Sequence, residues 1–317
     1  MKNRVFYNEK MKAWFEGVAD QGVIYPDVDP FHTVFRFADN VYSLYEENID
    51  GGSAMWMHLI DGPEKALLVD TGGGVGNLKA LVTHLVGDKP LYVVNTHEHW
   101  DHVQGNYQFE REHCHTYAVP MMTERFMNAN VWDRFCNAQG RGLRREFSRE
   151  DLVPYRPYAL FPCEDGDVFD LGGGYQIEVI YTPGHASGGI SFLDPQNRIL
   201  FTGGLHSDNT VISGVNRYYP DECTMEAFLA GLERLKRDFY DRFDRIFPGH
   251  EIVPLNKNYI LDEMQACKDV IADHACCEDS WQTASGAVMH RHMVGSAGIR
   301  YLDTAFRKAR SAKGGFE

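Results

Sequence analysis

Short apolar runs separated by polar turns recur along most of the chain. Runs rich in β-branched and aromatic residues, which are typical of strands, occupy residues 33–37, 41–45, 54–60, 66–69, 91–95 and 116–119. Similar runs occupy residues 168–171, 175–180, 189–193, 199–202 and 245–247. Apolar residues at helical spacing predict helices over residues 75–85, 225–239, 259–275 and 296–309. The pattern therefore predicts an α/β fold with strands in both halves.

The same pattern divides the chain into three parts. The strand-rich residues 31–255 form the predicted main domain, in which residues 121–156 lose the strict alternation and form an insertion. Residues 1–30 mix charged and aromatic residues and are predicted to be an N-terminal extension. Residues 256–317 are predicted to be a C-terminal helical extension.

Composition and charge argue against some classes of binding partner. Of the 317 residues, 44% are hydrophobic and 24% are charged, which is typical of a globular protein. The formal net charge of −14, without a long basic cluster, argues against binding to long nucleic acid. No apolar run is long enough to span a bilayer, and the first residues lack the apolar core of an export signal. We therefore expect a cytoplasmic protein that binds neither nucleic acid nor membrane.

The most informative stretch is residues 96–102, Thr-His-Glu-His-Trp-Asp-His, which follow the predicted buried strand 91–95. Where the backbone is extended, alternate side chains point the same way, so His97 and His99 can share one metal ion. Asp101 and His102 can then turn toward a second ion. Imidazole and carboxylate are ligands that zinc accepts, so this stretch predicts a metal site.

Two further histidines occur in matching contexts. His185 and His250 each follow an apolar run that is closed by Pro-Gly. Each is therefore predicted to lie on a loop leaving a strand, where functional residues often occur.

With Asp70 in Leu-Leu-Val-Asp-Thr-Gly, the histidine stretch and the two Pro-Gly-His sequences, the chain resembles the metallo-β-lactamase superfamily over roughly residues 33–255. The resemblance implies an αββα sandwich with extensions at both ends. It also implies two sets of metal ligands, namely His97, His99 and His185 for one ion and Asp101, His102 and His250 for the other.

The resemblance further implies that Asp70 is a carboxylate that holds the histidine loop in place. The alternative is that Asp70 caps the predicted helix 75–85. Both interpretations place Asp70 at the end of the strand 66–69.

The chain departs from the family pattern at Gly204. Many members carry at this position an aspartate that bridges two metals, whereas here the sequence reads Phe-Thr-Gly-Gly. A dinuclear centre bridged by hydroxide remains the leading interpretation. His206 or Asp208 could replace the missing ligand, or be an ordinary polar loop residue, and a single occupied site is a third option.

The predicted activity is hydrolysis of a small organic ester, lactone, thioester or amide, with zinc favoured over iron or manganese. Metal-bound hydroxide would be the nucleophile, and Asp101 would orient it and carry its proton. The alternative, motivated by Gly204, is a non-hydrolytic protein of the same fold that binds iron or a ligand.

Substrate contacts are predicted from aromatic residues. In family members, insertions such as 121–156 can line the pocket, so Phe126, Trp132, Phe135 and Tyr155 are candidates for its wall, with core packing as the alternative. Tyr218 or Tyr219 could donate a hydrogen bond to the oxyanion, or simply pack. A small molecule is the expected partner, and the two extensions leave a homodimer as a further expectation.

Overall fold

The computed structural model describes residues 9–47, 49, 54–125, 133–144, 146–206, 210–283 and 285–307. Its strands are β1 Val23–Tyr25, β2 Asp29–Ala38, β3 Val41–Glu46, β4 Met55–Asp61, β5 Ala66–Val69, β6 Leu91–Val94, β7 Arg111–His115, β8 Ala159–Cys163, β9 Val168–Asp170, β10 Gln176–Tyr181, β11 Ile190–Asp194, β12 Ile199–Gly203, β13 Thr210–Ile212, β14 Arg245–Pro248, β15 Leu255–Asn256, β16 Asp279–Gln282, β17 Val288–Val294 and β18 Ala297–Leu302. Its α-helices are α1 Glu9–Val18, α2 Leu78–Val86, α3 Trp100–Val103, α4 Val119–Arg125, α5 Met225–Arg234 and α6 Tyr259–Ala272.

The first sheet contains β1 to β8 in sequence order. Strands β1 to β5 pair antiparallel, as short turns allow, and β5 to β8 pair parallel. Of the central parallel strands, β5 is buried throughout and β6 is buried over its second half, as their apolar sequences predict. Residues 95–102 therefore leave the carboxyl end of a central strand.

The second sheet has the order β15-β14-β12-β11-β10-β9. Strands β12 and β14 run parallel, and the remaining pairs are antiparallel. His185 lies in the loop between β10 and β11, and His250 follows β14 directly. Both histidines thus leave strand ends of this sheet, as their sequence contexts predict.

Three layers of apolar side chains separate the elements. Between the sheets lie aromatic side chains from both, including Phe35, Tyr45, Trp56, Phe192, Phe201 and Phe247. Helix α2 covers the outer face of the first sheet, and α5 and α6 cover the outer face of the second. The layer order is helix, sheet, sheet, helix, which confirms the predicted αββα sandwich.

The N-terminal part packs on the main body. Met11 and Phe15 of α1 are buried in the core between the sheets, where Phe15 packs on Tyr45 with ring centroids 4.9 Å apart. Residues 9–30 are therefore joined to the sandwich through its central core.

The C-terminal part departs from the prediction. Helix α6 confirms the helix predicted over residues 259–275. The helix predicted over residues 296–309 is wrong, because residues 297–302 form β18 and residues 303–305 form a 3₁₀ turn. Strands β17 and β18 make a hairpin around Gly295 and Ser296, with Gly295 at φ 55°. A two-residue loop with glycine in a left-handed conformation is typical of such hairpins. The extension thus contributes helix α6 and three strands, which join β13 of the main domain in a four-stranded sheet of order β13-β18-β17-β16.

One smaller element also differs. The strand predicted over residues 116–119 is wrong, because the strand there is β7, which ends at His115, and residues 116–118 form a 3₁₀ turn. Among the described residues, no helix has the length and apolar character that crossing a membrane requires.

Candidate metal centre

Three imidazoles converge where β6 and β10 end. His97 Nε2 lies 3.0 Å from His99 Nδ1, which in turn lies 2.9 Å from His185 Nε2. The backbone at His99 is extended, with φ −72° and ψ 146°, so His97 and His99 face the same side. These three residues, called here the first triad, are a potential metal-binding group.

A carboxylate and two imidazoles form the second triad, Asp101, His102 and His250. Asp101 and His102 lie in the single turn of α3, and His102 Nε2 is 3.1 Å from His250 Nε2. Asp101 Oδ2 is 3.6 Å from that same nitrogen of His250. The rings of His97 and His102 are only 4.0 Å apart, so the two triads are adjacent.

Backbone carbonyls hold the outer nitrogens of two of these histidines. His185 Nδ1 is 2.6 Å from the carbonyl oxygen of Val211, and His250 Nδ1 is 3.2 Å from that of Ala54. A carbonyl only accepts, so each Nδ1 carries the proton and each Nε2 keeps a lone pair. Both lone pairs therefore face the inside of the triads, as metal ligation requires.

Asp70 fixes the orientation of the histidines in residues 96–102, as the backbone carbonyls do for His185 and His250. Its carboxylate accepts hydrogen bonds from His102 Nδ1 at 2.7 Å and from the amide and hydroxyl of Thr96 at 2.7 and 2.8 Å. The Thr96 hydroxyl then accepts from His97 Nδ1 at 3.0 Å. Helix α2 is capped by Asn77, so Asp70 is not its cap. The geometry places Asp70 where the family resemblance predicted.

Burial and neighbouring charges set the protonation of these groups. Burial, together with the nearby imidazoles, lowers the pKa of His97 well below its usual value, and burial lowers that of His185 to about 4. Burial disfavours the charged form of His102 too, but the carboxylates of Asp70 and Asp101 outweigh it and raise its pKa. His97 and His185 are therefore neutral at neutral pH, with their lone pairs directed inward. This donor set fits a borderline metal such as zinc.

Gly204 borders the first triad directly. A Cβ atom at this position would lie 2.6 Å from His185 Nε2 and 3.0 Å from Cε1 of His97. Real Cβ atoms do not approach other atoms so closely, so a bridging aspartate would displace the imidazoles. Glycine at position 204 therefore leaves the space that the imidazoles of His97 and His185 occupy.

Of the two residues proposed to replace the missing ligand, His206 does not join the triads. His206 is buried, and its Nδ1 makes a short contact with Glu263 on α6. Among the described residues, only the two triads bring three such donors together. Asp208 lies outside the described residues.

The two described candidates for the pocket wall, Phe135 and Tyr155, pack on other aromatic side chains, and their role in a pocket stays a prediction. Phe135 is buried and packs on Trp100, with ring centroids 4.9 Å apart, and Tyr155 packs on Tyr107 at 5.3 Å. Phe126 and Trp132 lie outside the described residues.

The two candidate tyrosines also have partners. Tyr219 stacks on Tyr117 with ring centroids 4.1 Å apart, and the Tyr218 hydroxyl bonds to Glu124, which raises the pKa of the phenol. Neither contact involves a triad residue, so the prediction of an oxyanion donor gains no support from these positions.

Sequence reasoning missed Glu98, which lies between two triad histidines. It is 2% exposed and accepts hydrogen bonds from Ser187 Oγ at 2.9 Å and from the amide of Gly188 at 3.2 Å. Its only signal in the sequence was an acidic residue at the alternate position, where the side chain points away from the metal ligands.

A family profile described as the metallo-beta-lactamase superfamily matches residues 51–250. The chain belongs to the metallo-beta-lactamase superfamily. The matched range holds both triads and Asp70, whereas both terminal extensions lie mostly outside it.

Named relatives in the metallo-beta-lactamase superfamily are hydrolases. The chain is 27% identical over 230 residues to "Acyl-coenzyme A thioesterase MBLAC2" from Bos taurus, covering 67% of this chain and 78% of that protein. It is 25% identical over 230 residues to "N-acyl homoserine lactonase" from Bacillus cereus, covering 62% and 81%. This metallo-beta-lactamase superfamily member is accordingly a hydrolase, which disfavours the non-hydrolytic alternative.

Solved structures agree on the fold. "Metallo-beta-lactamase from Pontibacter korlensis" superposes with a TM-score of 0.53 and 17% identity, covering 75% of this chain and 99% of that one. At this identity the likeness concerns the metallo-beta-lactamase fold alone.

Proposed function

We propose that this hydrolase cleaves a small organic thioester and uses two zinc ions, one held by each triad. Esters, lactones and amides form the wider class of substrates. The observation that carries the proposal is the convergence of two adjacent triads whose histidine nitrogens face inward. The thioester is preferred because the acyl-coenzyme A thioesterase relative is matched over 78% of its length.

The donor atoms support zinc. The triads offer five imidazoles and one carboxylate, a set typical of zinc and other borderline metals. When bound, zinc would lower the pKa of a water ligand to about 7 and so supply a nucleophile at neutral pH.

Asp101 is proposed to move the proton. Burial disfavours its ionised form, but the imidazoles of His102 and His250 outweigh this effect and lower its pKa. The carboxylate therefore stays ionised at neutral pH, and its side chain is 16% exposed. Such a group can accept the proton of the attacking water at Oδ2 and pass it to the leaving group.

The partners follow from the same proposal. The substrate is a small molecule, and the acidic chain does not bind nucleic acid. The predicted homodimer and the predicted cytoplasmic location stay predictions.

The test combines metal analysis with a substrate screen. We expect about two zinc ions per chain in the purified protein, in line with two complete donor sets. The metal-loaded protein is assayed with thioesters, aryl esters, lactones and β-lactams, and chelation should abolish turnover. His99→Ala should remove both activity and metal from the first triad.

The matched control is His84→Ala, because His84 is an exposed histidine on α2. It should keep full metal content and turnover. Hydrolysis that persists in His99→Ala, or a chain that binds no zinc and turns over none of the four substrate classes, would contradict the proposal.

A further inference from the structure

Residues 213–219, called here the border segment, connect β13 to the region before α5 and contact Glu98 and Ser187 on the loops that bear the first triad. The strand that precedes them supplies the Val211 carbonyl that orients His185. Three contacts with different parts of the molecule fix the segment, so its position is specified and not left to loop flexibility.

The first contact is with the C-terminal extension. The hydroxyl of Thr304 donates to the carbonyl of Ser213 at 2.7 Å. Gly214 follows with φ 65°, and a Cβ atom there would lie 1.8 Å from the carbonyl oxygen of Thr304. Only glycine fits so close an approach, so this end of the segment is held against the extension.

The second contact is with the loop that bears the metal ligands. Asn216 Nδ2 lies 2.9 Å from Ser187 Oγ and 3.4 Å from the carboxylate of Glu98. Its Oδ1 accepts from the amides of Tyr218 and Tyr219, both at 2.8 Å. Asn216 thus links the Glu98 carboxylate by hydrogen bonds to two backbone amides of the border segment.

The third contact is with α4. Arg217 forms an ion pair with Glu124 at 3.1 Å, and the Tyr218 hydroxyl bonds to the same carboxylate. Both charged side chains are largely exposed, at 73% for Arg217 and 50% for Glu124. An exposed pair of this kind is weak, so an incoming anion can compete for the guanidinium.

We propose that the border segment selects the substrate at the first triad, that Glu98 is the positioning residue that holds it through Asn216, and that Arg217 contacts an anionic leaving group. This proposal rests on the proposed hydrolase function. The segment offers an exposed apolar side chain, Val215 at 66%, next to the cation Arg217. In a chain of net charge −14, this pairing suits a thioester whose leaving group carries phosphate.

The first experiment exchanges the donor and the acceptor of the hydrogen bond between Asn216 and Glu98. Asn216→Asp keeps an acceptor for the two tyrosine amides but places a second carboxylate beside Glu98. Glu98→Gln combined with Asn216→Asp restores a donor and an acceptor in exchanged places. We expect Asn216→Asp to raise KM at least about tenfold with kcat within about threefold, and the double variant to recover KM.

Metal content and a matched control separate positioning from general damage. Asn256→Asp is the control, because Asn256 is an exposed asparagine whose Oδ1 also accepts from a backbone amide. It should leave KM unchanged, and every variant should keep its full metal content. An unchanged KM in Asn216→Asp, a loss of metal instead of a rise in KM, or no recovery in the double variant would overturn the positioning role.

The second experiment tests the anion. Arg217→Gln is assayed with a thioester that has a phosphate-bearing leaving group and with one that has a short neutral leaving group. We expect KM to rise about tenfold for the first only, because one charge-assisted contact is lost. An equal effect on both substrates, or none, would overturn the assignment of Arg217.

A third measurement does not depend on turnover. Hydrogen exchange at the amides of Tyr218 and Tyr219 should accelerate in Asn216→Ala, since both lose their acceptor, and should stay slow in Asn256→Asp. If the protein hydrolyses none of the substrates, the proposed function fails while this exchange still decides whether the border segment is anchored. Unchanged exchange in Asn216→Ala would overturn the anchor.

Discussion

The buried imidazole of His32 and those of His97 and His185 lie on either side of the turn at residues 72–74, and one is charged where the other two are neutral. His32 lies 3.0 Å from Asp29 and 3.2 Å from Glu46. Burial favours its neutral form, but these carboxylates outweigh burial and raise its pKa to about 10. His97 and His185 face a hydroxyl and a carbonyl instead, and burial lowers their pKa.

The comparison shows that burial alone does not determine whether a histidine can bind a metal. Burial penalises the charged imidazole in both regions, and the partner of each ring decides the outcome. Two carboxylates make His32 a structural cation with no lone pair available. Neutral acceptors leave His97 and His185 with inward lone pairs.

The turn at residues 72–74 connects the two regions. The amide of Gly73 donates to Glu46 at 3.0 Å, and the carbonyl of Gly72 accepts from Gln104, two residues after His102, at 3.1 Å. A Cβ atom on Gly72, which has φ 71°, would lie 2.3 Å from Glu46. Glu46, which pairs with the charged His32, therefore supports the backbone beside the second triad.

The largest expected effect comes from removing the cation. His32→Ala leaves Asp29 and Glu46, both fully buried, without their partner. We expect the free energy of unfolding to fall by about 3–5 kcal/mol, as for other broken buried ion pairs. Urea unfolding of the metal-free protein measures this, with His84→Ala as the control. A loss equal to that of the control would show that His32 is not charged.

The second prediction is a dependence of stability on pH. The folded pKa of His32 is about 10 and its usual value is 6.5. Its stabilising contribution is therefore complete below pH 6.5 and is lost as the pH rises toward 10. We expect the free energy of unfolding to fall by about 1.4 kcal/mol per pH unit between these limits. His32→Ala should remove this slope, and a slope that persists in the variant would assign it to another group.

The smallest expected effect is at the metal centre. Asp70→Asn keeps the size of the side chain, but its amide nitrogen cannot accept from His102 Nδ1. We expect the zinc affinity of the second triad to fall about 10- to 100-fold, as for other lost partners of ligand histidines. Competition with a coloured chelator measures it, and Asp241→Asn, at an exposed position, is the control. Equal affinities for the two variants would contradict the role of Asp70.

The fold and the triads were largely predictable because their signals are local. The pair His97–His99 follows from strand-end alternation, and Asp101 and His102 come next in the same short stretch. The structure brings both pairs together with the histidines predicted for them. Asp70 followed from the family resemblance. The apolar runs likewise predicted most strands of both sheets.

What the sequence did not predict depends on long-range contacts. The acceptors of His185 and His250 are backbone carbonyls, which carry no side-chain signal. His206 finds its partner, Glu263, on a helix distant in the sequence. The hairpin of β17 and β18 was missed because its alternating polar residues resemble a turn, although Gly295-Ser296 between such runs is a hairpin signal.

The parallel pairing of β13 with β18 has a consequence for the order of assembly. Val211 of β13 pairs with Arg300 of β18, and its carbonyl orients His185. On the ribosome, His185 emerges long before residue 300, so the strand that holds Val211 in place is synthesised late. The nascent chain therefore carries every predicted metal ligand before it can form the β13–β18 pairing that holds Val211.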